Sequence, residues 1–301
     1  MTVSKLTLGT AQLGLNYGVA NKQGKPSREE CFKMLDFAFE HGITTFDTAA
    51  AYGDSEAIIG EWIKVNHCEP LIISKIPLFE AENLPKRQIS LMVKDTVQCS
   101  LEALNVDRLW GVLLHSYTGK EKHFANVIKA LNEMKSSAMV SHLGISLYTP
   151  TELFDSLAIG TFDTFQVPAN IFDQRFLNGD VQAAKKEKYL FARSLYLQGL
   201  LTLSEKEAEE KVPGSGAYIH ILSNLSKQYE VPVKNMAFSF LASFPFITSF
   251  VLGMESKKQV EENIHLLDCP QLPPNLFADI KRRFSSVPKE IIDPRTWNHE
   301  R

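Results

Sequence analysis

Short runs of apolar, β-branched and aromatic residues recur along the chain, and nearly every one is followed by a stretch with helical periodicity. The runs are Leu6-Thr7-Leu8-Gly9-Thr10, Ile43–Phe46, Leu71–Ser74, Leu109–Leu114, Ser141–Ile145, Thr164–Val167, Tyr189–Arg193 and Ile247–Leu252. The helical stretches between and after them are a segment opened by Pro26-Ser27, then Ser55–Val65, Gln88–Leu104, Lys122–Lys135, Pro150–Ala158, a polar stretch near Asp180–Glu187, Tyr218–Tyr229, Val233–Phe244 and Lys257–Leu267. Ser27 with Glu30 three residues on is a capping box, and His41-Gly42 stops that first helix. Continuous apolar strands alternating with amphipathic helices imply a parallel sheet buried on both faces. Eight such units in about 270 residues match the size of a (β/α)8 TIM barrel with its active site at the C-terminal face. A doubly wound sheet is the alternative. It would need a Gly-x-Gly-x-x-Gly turn after an early strand, and the sequence has none. Residues 1–301 are expected to form a single barrel domain, with 268–301 as a C-terminal extension.

Three of these runs end at a chemically active side chain. Ile43–Phe46 leads to Asp47, with Tyr52 in the loop just beyond; Leu71–Ser74 leads to Lys75; Leu109–Leu114 leads to His115. Taken singly, each has an ordinary reading: Asp47 as a turn residue, Lys75 as a solvated rim lysine, His115 as a satisfied core histidine. Together, an acid, a base and an imidazole at the ends of successive buried strands are costly to bury unless they work as a group. In a barrel all strand C-termini face one mouth, so the three converge there.

The set Asp47, Tyr52, Lys75 and His115 resembles the catalytic tetrad of the aldo-keto reductases. The local contexts match as well: Phe-Asp-Thr-Ala before Tyr-Gly-x-x-Glu, then Ser-Lys, then Leu-Leu-His. The resemblance implies reduction of an aldehyde or ketone to an alcohol by hydride transfer, with Tyr52 as acid/base, Lys75 and Asp47 as its tuning pair and His115 as orienter or proton relay. A free phenol has a pKa near 10, and a cationic Lys75 beside it would lower that value. None of these side chains can deliver hydride, so a cofactor is required.

Two later segments resemble the family's nicotinamide-cofactor motifs. In Ala192–Leu201 the resemblance places Ser194, Leu195 and Gly199 near the pyrophosphate and Arg193 beside the nicotinamide. In Val251–Asn263 it places Gln259, Glu262 and Asn263 at the adenine. Gly144-Ile145-Ser146-Leu147 resembles the family's Gly-Val-Ser-Asn turn, with Ser146 and Gln166 on the carboxamide; the family usually has Asn where this chain has Leu147. Further contacts implied by the resemblance are Gly9, Thr10, Ala11, Asp47, Gln198, Leu201, Gly253, Met254 and Ser256. NADPH is expected ahead of NADH, with Lys257 and Lys258 as cations for the 2′-phosphate. Against it stand Gly253, Glu255 and Gln259, where many relatives carry basic residues. The hairpin with which the family usually begins is absent here or reduced to a few residues. Tyr17, Trp110, Tyr148 and Phe172 are candidates for the substrate pocket. Ser204–Gly216 is read as a charged loop that is either a lid or plainly solvated. The tail ending at Trp297-Asn298-His299-Glu300-Arg301 would cover the mouth, meet a partner or remain unstructured. The opening Leu8–Gly18 resembles a branch associated with sugar and surface-polysaccharide metabolism, pointing to a sugar-like carbonyl.

Composition excludes other classes. The formal net charge is -3, with no basic stripe that would bind nucleic acid. No apolar run reaches the length of a membrane span, and the first residues lack the apolar core of a signal peptide. A cytoplasmic protein is expected, and the resemblance implies a small-molecule carbonyl substrate. Cys31, Cys68, Cys99 and Cys269 are scattered, so neither a metal site nor a disulfide frame is expected. Two rival functions are a cofactor-binding regulatory subunit with little turnover and a barrel isomerase or lyase that uses no hydride.

Overall fold

The computed structural model describes residues 1–19, 21, 24–77, 85–115 and 123–297. Eight parallel strands close into a barrel in sequence order, β8 pairing with β1. They are β1 (Leu6–Gly9), β2 (Thr45–Asp47), β3 (Leu71–Pro77), β4 (Leu109–His115), β5 (Val140–Ser146), β6 (Thr164–Pro168), β7 (Tyr189–Arg193) and β8 (Ser249–Gly253). The helices are α1 (Ala11–Gly14), α2 (Arg28–Glu40), α3 (Ser55–Asn66), α4 (Lys86–Leu104), α5 (Phe124–Ser136), α6 (Pro150–Ile159), α7 (Gly179–Lys185), α8 (Glu205–Lys211), α9 (Gly216–Tyr229), α10 (Val233–Ala242), α11 (Lys257–His265), α12 (Pro274–Arg283) and α13 (Lys289–Ile292). No helix among the described residues is long and apolar enough to cross a membrane.

Two hydrophobic clusters organise the fold. The large one lies between sheet and helices. The small one, Ile73, Leu113, Phe191 and Val251, fills the barrel interior. Side chains in a strand alternate sides, so residues two further on also face inward. Two residues beyond these four interior positions stand Lys75, His115, Arg193 and Gly253. The same alternation runs from Thr45 to Asp47, from Gly144 to Ser146 and from Thr164 to Gln166. The barrel is thus sealed below by apolar side chains, and the next layer toward the C-terminal mouth is polar.

The lower end is closed by Trp110, whose ring centroid lies 4.4 Å from that of His142 and 5.0 Å from that of Tyr189, with Val3 packed against the same cluster. Trp110 therefore does not line a substrate pocket: it stands near the start of β4, at the opposite end from His115. Phe172 is also withdrawn from that role, because it is buried against Phe284 and Tyr218. No strand precedes β1 among the described residues.

Local chemistry explains most element ends. Ser27 and Glu30 form the reciprocal capping box expected for α2, and Thr149 with Glu152 does the same for α6. Ser204–Gly216 differs from the expected loop. Ser204 and Glu207 form a third capping box that starts α8, and the Glu209 carboxylate accepts the backbone N–H of Gly214 and Gly216, fixing the turn into α9. The stretch from Gln12 to Gly24 contains the end of α1. The start of the expected Lys122–Lys135 helix, residues 20, 22 and 23, and the tail residues 298–301 lie outside the described residues.

Candidate active site

Asp47 is the last residue of β2, and Tyr52 follows in a turn tied by Tyr52 N–H to the Ala49 carbonyl (2.9 Å) and Ser55 N–H to the Tyr52 carbonyl (3.1 Å). The turn presses so closely on α1 that a side chain at Gly14 would collide with the Tyr52 carbonyl. Beneath it, the Ser55 hydroxyl sits 2.8 Å from the Thr10 hydroxyl and 3.2 Å from that of Thr48. Glu56, the acid of the Tyr-Gly-x-x-Glu stretch, accepts from Ser74 (2.5 Å) and Ser100 (3.1 Å), joining α3 to β3 and α4 one residue before Lys75.

Lys75 is 1% exposed and spends all three ammonium protons locally. It donates to Asp47 Oδ2 (2.7 Å), to the Thr48 carbonyl (3.0 Å) and to the Tyr52 hydroxyl oxygen (3.3 Å). Burial disfavours its charge, but Asp47 and Tyr52 beside it more than compensate and hold the ammonium above the usual lysine range. Asp47 Oδ1 accepts from Gln166 (2.8 Å), and the Ser146 hydroxyl reaches Gln166 Oε1 at 3.5 Å. The His115 ring meets Tyr52 edge-on, with centroids 6.3 Å apart. Burial, then the Lys75 and Arg193 charges, push the His115 pKa down to about 4, so the imidazole is neutral at pH 7.

A cleft leads from Asp47, Tyr52 and Gln166 past Gly9–Gln12 and Arg193–Leu195 to Gln198, Gly199 and Gly253, ending at Gln259, Glu262 and Asn263. One wall is strained: Ser194, Leu197 and Gln198 hold positive φ (60°, 49° and 54°), costs of about 1–3 kcal/mol each that persist where surrounding contacts enforce them. Gln198 donates to the Tyr17 hydroxyl (3.1 Å), joining the loop after α1 to this wall.

The tetrad expected from the sequence is brought together, and Gly9, Thr10, Ala11, Gln166, Arg193, Ser194, Leu195, Gln198, Gly199, Gly253, Gln259, Glu262 and Asn263 line the cleft. Four expected contacts do not. Leu201 and Met254 are buried in the apolar core, and Ser256 is spent as the N-cap of α11, accepting from Gln259 N–H. Ser146 is buried behind Gln166. Sequence reasoning missed Gln12, Asn21, Tyr196, Thr202 and Lys234, which also line the cleft. Only the Pro232 start of α10 hinted at an exposed helix end near Lys234.

The cleft suits a nicotinamide dinucleotide. Its lining holds a proton donor, Tyr52, an arginine, Arg193, and the glycines Gly9, Gly199 and Gly253, which allow close approach of a bulky ligand.

The chain is similar to known proteins. Residues 5–283 match the Aldo/keto reductase family. The chain is 24% identical over 283 residues to the uncharacterized oxidoreductase YqkF of Bacillus subtilis (strain 168), covering 89% of this chain and 92% of that protein. It is 24% identical over 301 residues to the NADH-specific methylglyoxal reductase of Escherichia coli (strain K12), covering 89% and 91%. Among solved structures, the holo form of aldo-keto reductase AKR11C1 from Bacillus halodurans superposes with a TM-score of 0.74 at 19% identity, covering 97% of this chain and 96% of that one.

Proposed function

The chain belongs to the aldo/keto reductase family of oxidoreductases, and from that premise we propose that it reduces a small aldehyde or ketone with Tyr52 as the proton donor. One observation carries the reading. Because Lys75 donates to the Tyr52 oxygen, the phenolic proton is left for another acceptor. When bound, the reduced nicotinamide supplies the hydride that no side chain can provide. Tyr52 gives its proton to the carbonyl oxygen as that oxygen gains charge, while the Lys75 ammonium stabilises the phenolate left behind. Asp47 holds Lys75 from below, and neutral His115 orients the carbonyl oxygen. A sugar-like substrate is the class favoured by the resemblance of Leu8–Gly18.

Within NAD(P)H, the charges at the far end of the cleft support NADH over the NADPH expected from sequence. Lys257 and Lys258 line not the cleft but the neighbouring groove, which shares Glu255 with it. Lys257 lies over the Phe37 ring at 4.6 Å, and Lys258 is 84% exposed, 4.0 Å from Glu262. In the neighbouring groove Lys25 pairs with Asp54 and Lys33 with Glu29. Lys234 does line the cleft but is paired with Glu262 at 2.9 Å. Glu255 does stand in the cleft, where a 2′-phosphate would meet its carboxylate. Titration with NADH and NADPH, followed by fluorescence quenching, tests both parts: tighter NADH binding is expected, tighter NADPH binding reverses the preference, and binding of neither removes the hydride-transfer reading.

A further inference from the structure

We propose that Arg295, from the C-terminal segment, is a positioning residue for the dinucleotide site: it fixes Arg193 in the cleft through the ring of Tyr148. The inference rests on the dinucleotide reading above.

Arg193 occupies the last inward position of β7 and lines the cleft, yet its direct hold is thin. One terminal nitrogen donates to the Leu147 carbonyl at 3.2 Å and the other reaches the Ser194 hydroxyl only at 3.5 Å. No carboxylate pairs with it among the described residues. It also meets the Tyr148 ring, whose centroid lies 4.5 Å from the guanidinium carbon. Tyr148 directly follows Leu147, so one two-residue segment supplies both restraints. Its backbone is pinned because Tyr148 N–H donates to the Glu152 carboxylate (2.8 Å) in the cap of α6.

The ring itself is held from outside. The Arg295 guanidinium carbon lies 3.6 Å from the same centroid, closer than that of Arg193. Arg295 is oriented by Asp293, which accepts its Nε at 2.8 Å, a terminal nitrogen at 2.6 Å and its backbone N–H at 3.2 Å. That fork uses one edge of the guanidinium and leaves its flat face for the ring. Asp293 is buried, as are Ile291, Ile292 and Trp297, so the fork sits on a packed base. The loop after β6 repeats the device: Asp173 grips Arg175 with bonds of 2.8 and 2.7 Å, and the charges of Asp293 and Arg295 both act on Arg175. The two Asp-x-Arg units thereby form one charged clasp between the tail and the barrel mouth.

A guanidinium over an aromatic ring contributes enough that its loss is felt about three- to tenfold in a coupled equilibrium. Without Arg295 the ring is free to tip, and Arg193 keeps one good hydrogen bond. A purely structural Arg295 would anchor the tail without reference to Arg193, and a double-mutant cycle separates the two roles.

The test is titration of wild type, Arg295→Ala, Arg193→Ala and the double variant with NADH, with melting temperatures recorded alongside. Arg295→Ala is expected to weaken binding about three- to tenfold in the wild-type background and to have no further effect in Arg193→Ala. Tyr148→Leu should reproduce Arg295→Ala, and Tyr148→Phe, which keeps the ring, should bind as wild type does; this pair decides the matter if Arg295→Ala folds poorly. Unchanged binding in folded Arg295→Ala, or an equal loss in both backgrounds, overturns the proposal. If wild type binds neither NADH nor NADPH, the dinucleotide reading falls and takes this proposal with it.

Discussion

Lys75 donates to the hydroxyl oxygen of Tyr52 across 3.3 Å, deep beneath the mouth of the barrel. The contact assigns directions to protons: the lysine's go to oxygen acceptors already in place, and the tyrosine's is the one left over. A hydroxyl oriented in this way is a donor awaiting an acceptor.

Removing that donor is the simplest perturbation. Tyr52→Phe keeps the ring and its edge-on contact with His115 but deletes the proton. Turnover should fall about 10²- to 10⁴-fold, the usual contribution of a positioned general acid. Dinucleotide affinity, measured by titration, should change less than twofold, because the cofactor does not need that proton to bind.

The Lys75–Asp47 pair should matter for stability as well as chemistry. Asp47→Asn leaves a buried ammonium without its counter-charge, which costs about 3–5 kcal/mol. Urea denaturation should show that loss, and the double variant with Lys75→Met should recover much of it. The folded pKa of Lys75 lies above its ordinary value of 10.5. The pair's contribution is therefore complete below that ordinary value and lost as the pH rises through the higher folded one.

His115 makes the opposite prediction on the acid side. Its ordinary pKa is 6.5 and its folded value is about 4. Above pH 6.5 the imidazole is neutral whether the chain is folded or not. Between pH 6.5 and about 4 only the unfolded chain takes up the proton, so stability falls as the pH drops. Melting temperatures across that window should decline in wild type and decline less in His115→Asn.

Glu255 should set the cofactor's phosphate preference. Burial raises its carboxyl pKa, and its side chain lines the far end of the cleft. Glu255→Gln should strengthen NADPH binding about two- to fivefold, the scale of a partly exposed charge interaction. NADH binding should stay within error, and the difference should shrink in high salt.

Much of the site was legible because it follows strand periodicity. Asp47, Lys75 and His115 each end or nearly end a readable apolar run, and a parallel barrel forces such positions to one mouth. Trp110 was misread because an aromatic in a strand looks alike at either end, and only the register places it at the bottom. Ser204–Gly216 looked from its charge like a loop, either a lid or plainly solvated, although the Ser204–Glu207 capping box was there to be read. Leu201 and Met254 were assigned by position within a motif, but their side chains turn into the core. Lys234 and Tyr196 reach the cleft only after the barrel closes; the Pro232 helix start marks an exposed end near Lys234 but does not place it there. The Arg295–Tyr148 contact joins residues far apart in sequence through a stacking geometry with no sequence signature.

The central claim is hydride transfer from a nicotinamide to a carbonyl, and isotope tracing tests it most directly. The enzyme would be mixed with NADH carrying deuterium at both nicotinamide C4 positions and either methylglyoxal or glyceraldehyde, and the products read by mass spectrometry. The account predicts one deuterium on the new alcohol carbon with wild type and a rate at least a hundredfold lower, on the scale of about 10²–10⁴, with Tyr52→Phe. A product formed without deuterium, or equal rates for the two proteins, would contradict it.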